Sequence, residues 1–121
     1  MQITVSTVSL TVDDVNASRA FFTDHLGYQA IAAADGFASL TRGDAAVDIV
    51  LLRGAAEDRD DAGFALAFTV TGIEGEERRL RDRGVAITTP LRKEPWGERL
   101  FQVTDPSGVV VRFVEWASPL E

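Results

Sequence analysis

The sequence predicts an α+β fold made of two β-α-β-β-β modules. Three observations carry the prediction: a midpoint charge cluster flanked by glycines, a period-two apolar stretch repeated about 58 residues later, and a glycine closing the helical stretch of each half. With 121 residues the chain is long enough for one compact domain, or for two very small units sharing a core. The expected organisation is a first module over residues 1–55, an acidic connector over residues 56–62 and a second module over residues 63–121, together one domain. The connector assignment follows from Glu57-Asp58-Arg59-Asp60-Asp61, which has no apolar periodicity and lies between Gly54 and Gly63.

The elements follow in chain order. Val8-Ser9-Leu10-Thr11-Val12 alternates apolar with small polar residues, as a half-buried strand does. A helix follows, with Val15, Phe22 and Leu26 on one face, either Asp14 or Asn16 as its N-cap, and Gly27 where positive φ ends it. Residues 37–41 and 47–52 read as strands joined at Gly43-Asp44. The second half opens on Leu66-Ala67-Phe68-Thr69-Val70, 58 residues after its counterpart. Its helix has only Ile73 and Leu80 as apolar anchors, is weakened by Gly75, and ends at Arg83-Gly84. Glu74 with Arg78 and Glu77 with Arg81 stand in the favourable acid-first order for pairs four residues apart. Residues 100–104 and 109–116 read as strands joined by Asp105-Pro106-Ser107-Gly108, which suits a type I turn.

Alternation sorts the first strand of each half onto two faces. Val8, Leu10 and Val12, and likewise Leu66, Phe68 and Val70, must meet the helices. The other face carries Thr7, Ser9 and Thr11 in one half and Ala65, Ala67 and Thr69 in the other. That small, mildly polar paving is either a solvent-washed sheet face or the floor of a cleft. Val109-Val110-Val111, a continuous apolar run that implies burial on both faces, favours a cleft.

Composition excludes several chemistries. The chain has no cysteine, so disulfides, zinc–thiolate sites and thiol catalysis are absent. It has one histidine, His25, so no site of paired imidazoles can be built; its position near a helix end suits a surface or capping role, and no serine stands in a nucleophile-elbow setting with a histidine to serve as its base. Nineteen acidic against twelve basic residues give a net charge of −7, which disfavours nucleic acid and anionic membranes. Met1-Gln2-Ile3-Thr4-Val5 lacks the basic and apolar stretches of a secretory signal, and no apolar run reaches membrane-spanning length, so a cytoplasmic location is expected.

These residues resemble a known family. Val8-Ser9-Leu10-Thr11-Val12-Asp13-Asp14-Val15, Phe21-Phe22 and Leu26-Gly27-Tyr28 are similar to the first module of the vicinal oxygen chelate superfamily, which holds glyoxalase I, extradiol dioxygenases and bleomycin-resistance proteins. Leu66-Ala67-Phe68-Thr69-Val70, the Trp96-Gly97 loop and residues 101–108 are similar to the second module. The resemblance spans essentially the whole chain. It implies paired modules forming a cup-shaped mixed sheet with helices on the outer face, completed in small members by a second subunit of a homodimer.

The resemblance also implies where a divalent metal would sit, and this chain departs from it there. Thr7 and Ala65 stand where histidines are expected, and Arg112 stands where a glutamate is expected after the Asp-Pro-x-Gly turn. Asp48 roughly matches the remaining ligand position. No metal and no cofactor are expected from such a set. Asp48 and Arg112 either pair with one another or both face solvent. Trp96 is either a lid over the core or a stacking wall for a flat ligand, with Phe37 and Trp116 as further aromatic walls.

The function this implies is capture of a bulky apolar or aromatic small molecule, such as a natural-product antibiotic, by a homodimer without turnover. Thr7, Ser9, Ala65 and Ala67 would form the floor, Phe37, Trp96 and Trp116 the walls, and Asp48 and Arg112 the polar contacts, with no catalytic residue. The alternatives are a metal-independent lyase or isomerase using Asp48, Glu98 or Glu115 as acid or base, and a structural or regulatory dimer.

Overall fold

The computed structural model describes residues 1–55 and 64–116. The expected connector over residues 56–62 lies outside the described residues. The chain divides into two compact units, Met1–Asp61 and Ala62–Glu121.

The first unit runs β1 (Thr7–Val12), α1 (Val15–Leu26), β2 (Gln29–Ala34), β3 (Phe37–Thr41) and β4 (Asp48–Arg53). Its sheet has the order β1-β4-β3-β2, with β1 parallel to β4 and the other pairs antiparallel. Asp14 is the N-cap: its side chain accepts the Ala17 N–H at 3.0 Å. Gly27 ends α1 at φ 72°. The helix lays Val15, Phe22 and Leu26 toward a buried sheet face of Leu10, Val12, Leu40, Ile49 and Leu51. Phe22 is fully buried, edge-on to both Phe21 (5.2 Å) and Tyr28 (5.8 Å). Burial of a side chain of this size contributes about 1.5–3 kcal/mol.

The second unit repeats the order: β5 (Leu66–Thr69), α2 (Ile73–Asp82), β6 (Ile87–Lys93), β7 (Glu98–Thr104) and β8 (Val110–Trp116), in a sheet ordered β5-β8-β7-β6. Its core is an aromatic row across three strands, with Phe101 stacked on Phe113 at 4.9 Å and Phe68 beside it at 6.1 Å. Ile73 and Leu80 are the two apolar anchors of α2, both buried. Gly84 follows α2 at φ 80°. The turn before β8 closes through the Gly108 N–H to the Asp105 carbonyl at 3.0 Å. The buried Asp105 carboxylate also accepts the Ser107 and Val109 N–H groups at 2.9 and 2.8 Å. Among the described residues no helix is long and apolar enough to cross a membrane.

Three details differ from the sequence reading. Glu77 pairs with Arg81 as expected, at 3.1 Å, but Glu74 pairs with Arg99 of β7. Burial on both faces falls not at residues 109–111, where Val110 is only half-buried, but at Phe113 and Val114. The strands β2 and β6 complete each module without an apolar alternation in the sequence: β2 is exposed along its whole length, and β6 contains Pro90 and two register shifts against β7.

Candidate functional site: the open face of each sheet

In each module the helix covers one sheet face; the other face carries exposed residues, at Thr7 and Ser9 in the first module and at Ala67 and Arg112 in the second, where Leu100 and Val114 on that face are nevertheless buried. On the open face of the first module the strand registers align Thr7 with Asp48, Ser9 with Val50, and Thr11 with Leu52. The rows continue onto β3, where Val50 meets Ser39 and Leu52 meets Phe37. Thr7 and Ser9 are exposed, whereas Phe37 and Asp48 are half-buried. The Asp48 carboxylate accepts the Thr41 hydroxyl at 2.7 Å, which fixes its direction along the row.

The second module keeps the same construction with different chemistry. Ala67 is level with Arg112, and Arg112 with Gln102 of β7. Ala67 and Arg112 are exposed, and Ala65, just before β5, is half-buried. Arg112 Nε donates to Gln102 Oε1 at 2.9 Å, and Gln102 Nε2 donates to Thr89 Oγ1 at 3.1 Å. Trp116, half-buried at the end of β8, is level with Glu98. Trp96 sits in the turn between β6 and β7, where the Glu94 N–H donates to the Glu98 carbonyl at 2.7 Å and Gly97 adopts φ 96°. Its ring is 64% exposed, and Nε1 donates to Glu98 Oε1 at 3.3 Å. A ring this exposed buries little apolar surface of its own.

Two candidates take other roles. Glu115, on the helix-facing side of β8, accepts the Gly72 and Ile73 N–H groups at 3.1 Å each and the Arg99 guanidinium at 2.9 Å. It is the N-cap that α2 lacks locally, since Gly72 has no side chain to offer. The Ile73 N–H, followed by that of Gly72 and the Arg99 charge, holds its carboxyl below the usual glutamate value. That makes it a structural anion rather than a proton donor or acceptor for chemistry on the open face. His25 occupies the last turn of α1, edge-on to Phe21 at 5.7 Å, the setting of a surface residue favoured by the helix dipole.

The site residue that sequence reasoning placed imperfectly is Asp48. Thr7 and Ala65 are equivalent across the repeat, and so are Ser9 and Ala67. Because Ser9 is level with Val50 and Ala67 with Arg112, Val50 is the counterpart of Arg112, and Asp48 lies one rung away. The four repeat-equivalent positions are therefore threonine, valine, alanine and arginine. A divalent metal needs three or four oxygen, nitrogen or sulfur donors, and this set does not fit one. Among the described residues no three histidine, cysteine, aspartate or glutamate side chains gather to hold a metal.

The architecture defines the class: duplicated β-α-β-β-β modules, each sheet packed by its own helix on one face. The chain belongs to the Glyoxalase/Bleomycin resistance protein/Dioxygenase superfamily, whose family model matches residues 4–113. Solved structures share the fold. TnmS3, an antibiotic binding protein from Streptomyces sp. CB03234, is 23% identical with a TM-score of 0.78, covering 96% of this chain and 98% of its own. A glyoxalase/bleomycin resistance protein/dioxygenase from Nocardioides is 23% identical with a TM-score of 0.76, covering 100% and 88%. A lactoylglutathione lyase from Agrobacterium tumefaciens is 18% identical with a TM-score of 0.72, covering 93% and 92%. A search of curated proteins gives no match.

Proposed function

We propose that this chain is a cytoplasmic small-molecule-binding protein that captures a bulky, flat, largely apolar compound, such as a natural-product antibiotic, and protects its target by sequestration without turnover. The observation that carries the reading is the exposed Trp96 ring at the tip of the β6–β7 turn, beside the end of the sheet where Glu98 is level with Trp116. A flat compound gains dispersion and apolar burial against such a ring. Within the first module Thr7 and Ser9 offer floor, Phe37 aromatic wall and Asp48 a polar contact; within the second Ala65 and Ala67 offer floor, Trp116 further wall and Arg112 a polar contact. The absence of a metal-binding donor set removes the Lewis acid on which the enzymatic members of the resemblance rely, and the antibiotic-binding description of TnmS3 is consistent with the reading. The working unit in this proposal is a homodimer.

A metal-independent lyase or isomerase is the second reading. It is favoured by Asp48 and Glu98, which present carboxylates on the open faces. One titration separates the two. Tryptophan fluorescence should quench on addition of compounds from a natural-product panel, saturating at a fixed stoichiometry per chain, with the compound recovered unchanged. Recovery of altered product in excess over protein refutes sequestration and supports catalysis. Sedimentation at equilibrium tests the dimer independently.

A further inference from the structure

The arginines of this chain are mostly spoken for. Arg42, Arg53, Arg79, Arg81, Arg92 and Arg99 each hold a carboxylate. Arg19 and Arg78 on the helices hold none among the described residues, and on the sheet Arg112 is oriented by a neutral group instead, the Gln102 amide oxygen. Nineteen acidic residues are available in the chain, yet none of the described ones is paired with the exposed Arg112 guanidinium. The Arg112–Gln102–Thr89 relay fixes Nε and leaves both terminal nitrogens without a partner among the described residues. On the other flank stands Ala67, which leaves room beside the guanidinium. The carboxylate of Glu98 is on the same face but four residues along β7, about 13 Å at strand spacing.

We infer that Arg112 is an anion-receiving group, and that the compound bound on this face is a flat ring system carrying a carboxylate. A guanidinium whose Nε is already held presents its Nη1–Nη2 edge, two parallel N–H donors that match the two oxygens of a carboxylate. The same face continues from Arg112 through the buried aliphatic pair Val114 and Leu100 to Trp116, so the exposed surface beside the guanidinium is apolar rather than charged, as a ring system carrying one carboxylate requires. Gln102 is a positioning residue: it orients the guanidinium and does not itself meet the ligand's charge. This inference rests on the binding reading above and names the chemical class of its ligand.

The test uses matched pairs of probes, anthracene carboxylate with anthracene carboxamide and naphthalene carboxylate with naphthalene carboxamide, titrated calorimetrically into the full chain at neutral pH. The acid is expected to bind at least about tenfold more tightly than its amide, the size of one charge-assisted hydrogen-bonded pair. Arg112→Gln should bring the acid-to-amide ratio close to one. Arg112→Lys, which keeps the charge but not the fork, should give an intermediate ratio, and Gln102→Leu should reduce the ratio while thermal stability stays close to wild type. Equal binding of acid and amide by the wild-type chain, or an acid preference that survives Arg112→Gln, overturns the assignment and leaves the binding reading standing. Failure of both members of every pair to bind overturns the two together.

Discussion

The carboxylate of Glu115 accepts the backbone N–H of Ile73 at 3.1 Å across 42 residues of sequence, so the last strand of the second module caps the helix of the same module. The cap has a pH signature. The Ile73 and Gly72 N–H groups and the Arg99 charge stabilise the ionised form, so the folded-state pKa lies below the ordinary value of 4.5. Such a group contributes stability above the unfolded pKa and loses it as pH falls through the folded one, because only the unfolded chain takes up the proton in between. Glu115→Gln should lower the thermal midpoint at neutral pH by about 5 °C. It should also flatten the fall of that midpoint between about pH 5 and pH 3. A variant whose acid sensitivity equals that of the wild type would show that Glu115 is not the cap.

Tyr28 supplies the opposite signature at the alkaline end. Its hydroxyl donates to the Val47 carbonyl at 2.7 Å, and burial pushes its pKa up to about 12. The neutral form is favoured in the fold, so its contribution is complete below the unfolded value near 10 and lost as pH rises through about 12. The chain has a single tyrosine, so tyrosinate absorbance reads this site alone. The expected midpoint is close to 12, falling toward 10 when the protein is unfolded in denaturant. Tyr28→Phe should cost about 1 kcal/mol at neutral pH and remove this part of the alkaline loss.

How much of this was legible in the sequence differs by element. The alternation of β1 and β5, the C-terminal glycines Gly27 and Gly84, and the Asp105–Gly108 turn are local signals, and each appears where its signal stands. β2 and β6 gave no signal. Gln29–Ala34 is exposed along its whole length, and Ile87–Lys93 includes Pro90 and two register shifts. Period two records a buried face: β1 and β5, themselves at sheet edges, carry one under a helix, whereas β2 has none and the alternate face of β6 is only half-buried. The site was legible as a list of side chains but not as rungs. Asp48 and Val50 are two residues apart on one strand, and only the pairing with Thr7 and Ser9 shows which of them answers to Arg112. The role of Glu115 is invisible to local pattern, since its partners are on another element.

A close approach between two modest residues gives a prediction independent of any ligand. A Cβ added at Gly54 would lie 2.6 Å from Cγ2 of Thr11. The Gly54 N–H donates to the Val12 carbonyl at 2.9 Å, so the backbone is held against β1 and cannot retreat. Threonine is stiff about χ1, so the clash is not relieved by a rotamer change. Gly54→Ala should therefore destabilise by about 1–3 kcal/mol. Thr11→Ser, which deletes the offending methyl, should restore most of the loss in the double variant. Independent, additive effects in chemical denaturation would show that the two positions do not touch.

Trp96 separates binding from folding. Its ring is exposed, its one hydrogen bond is to the exposed side of Glu98 at 3.3 Å, and its backbone conformation is imposed by the turn rather than by the side chain. Trp96→Ala should change stability by no more than about 0.5 kcal/mol, as surface substitutions do. Phe101, fully buried and stacked on Phe113 at 4.9 Å, is the contrasting position in the same module. Phe101→Ala should cost about 3–5 kcal/mol. If the open face captures flat compounds, Trp96→Ala should weaken their binding by about tenfold while its thermal midpoint stays with the wild type, since an aromatic stacking contact contributes about 0.5–1.5 kcal/mol beyond area burial. Unchanged affinity in a folded Trp96→Ala variant would remove the tryptophan from the site, and a large loss of stability would return it to the core.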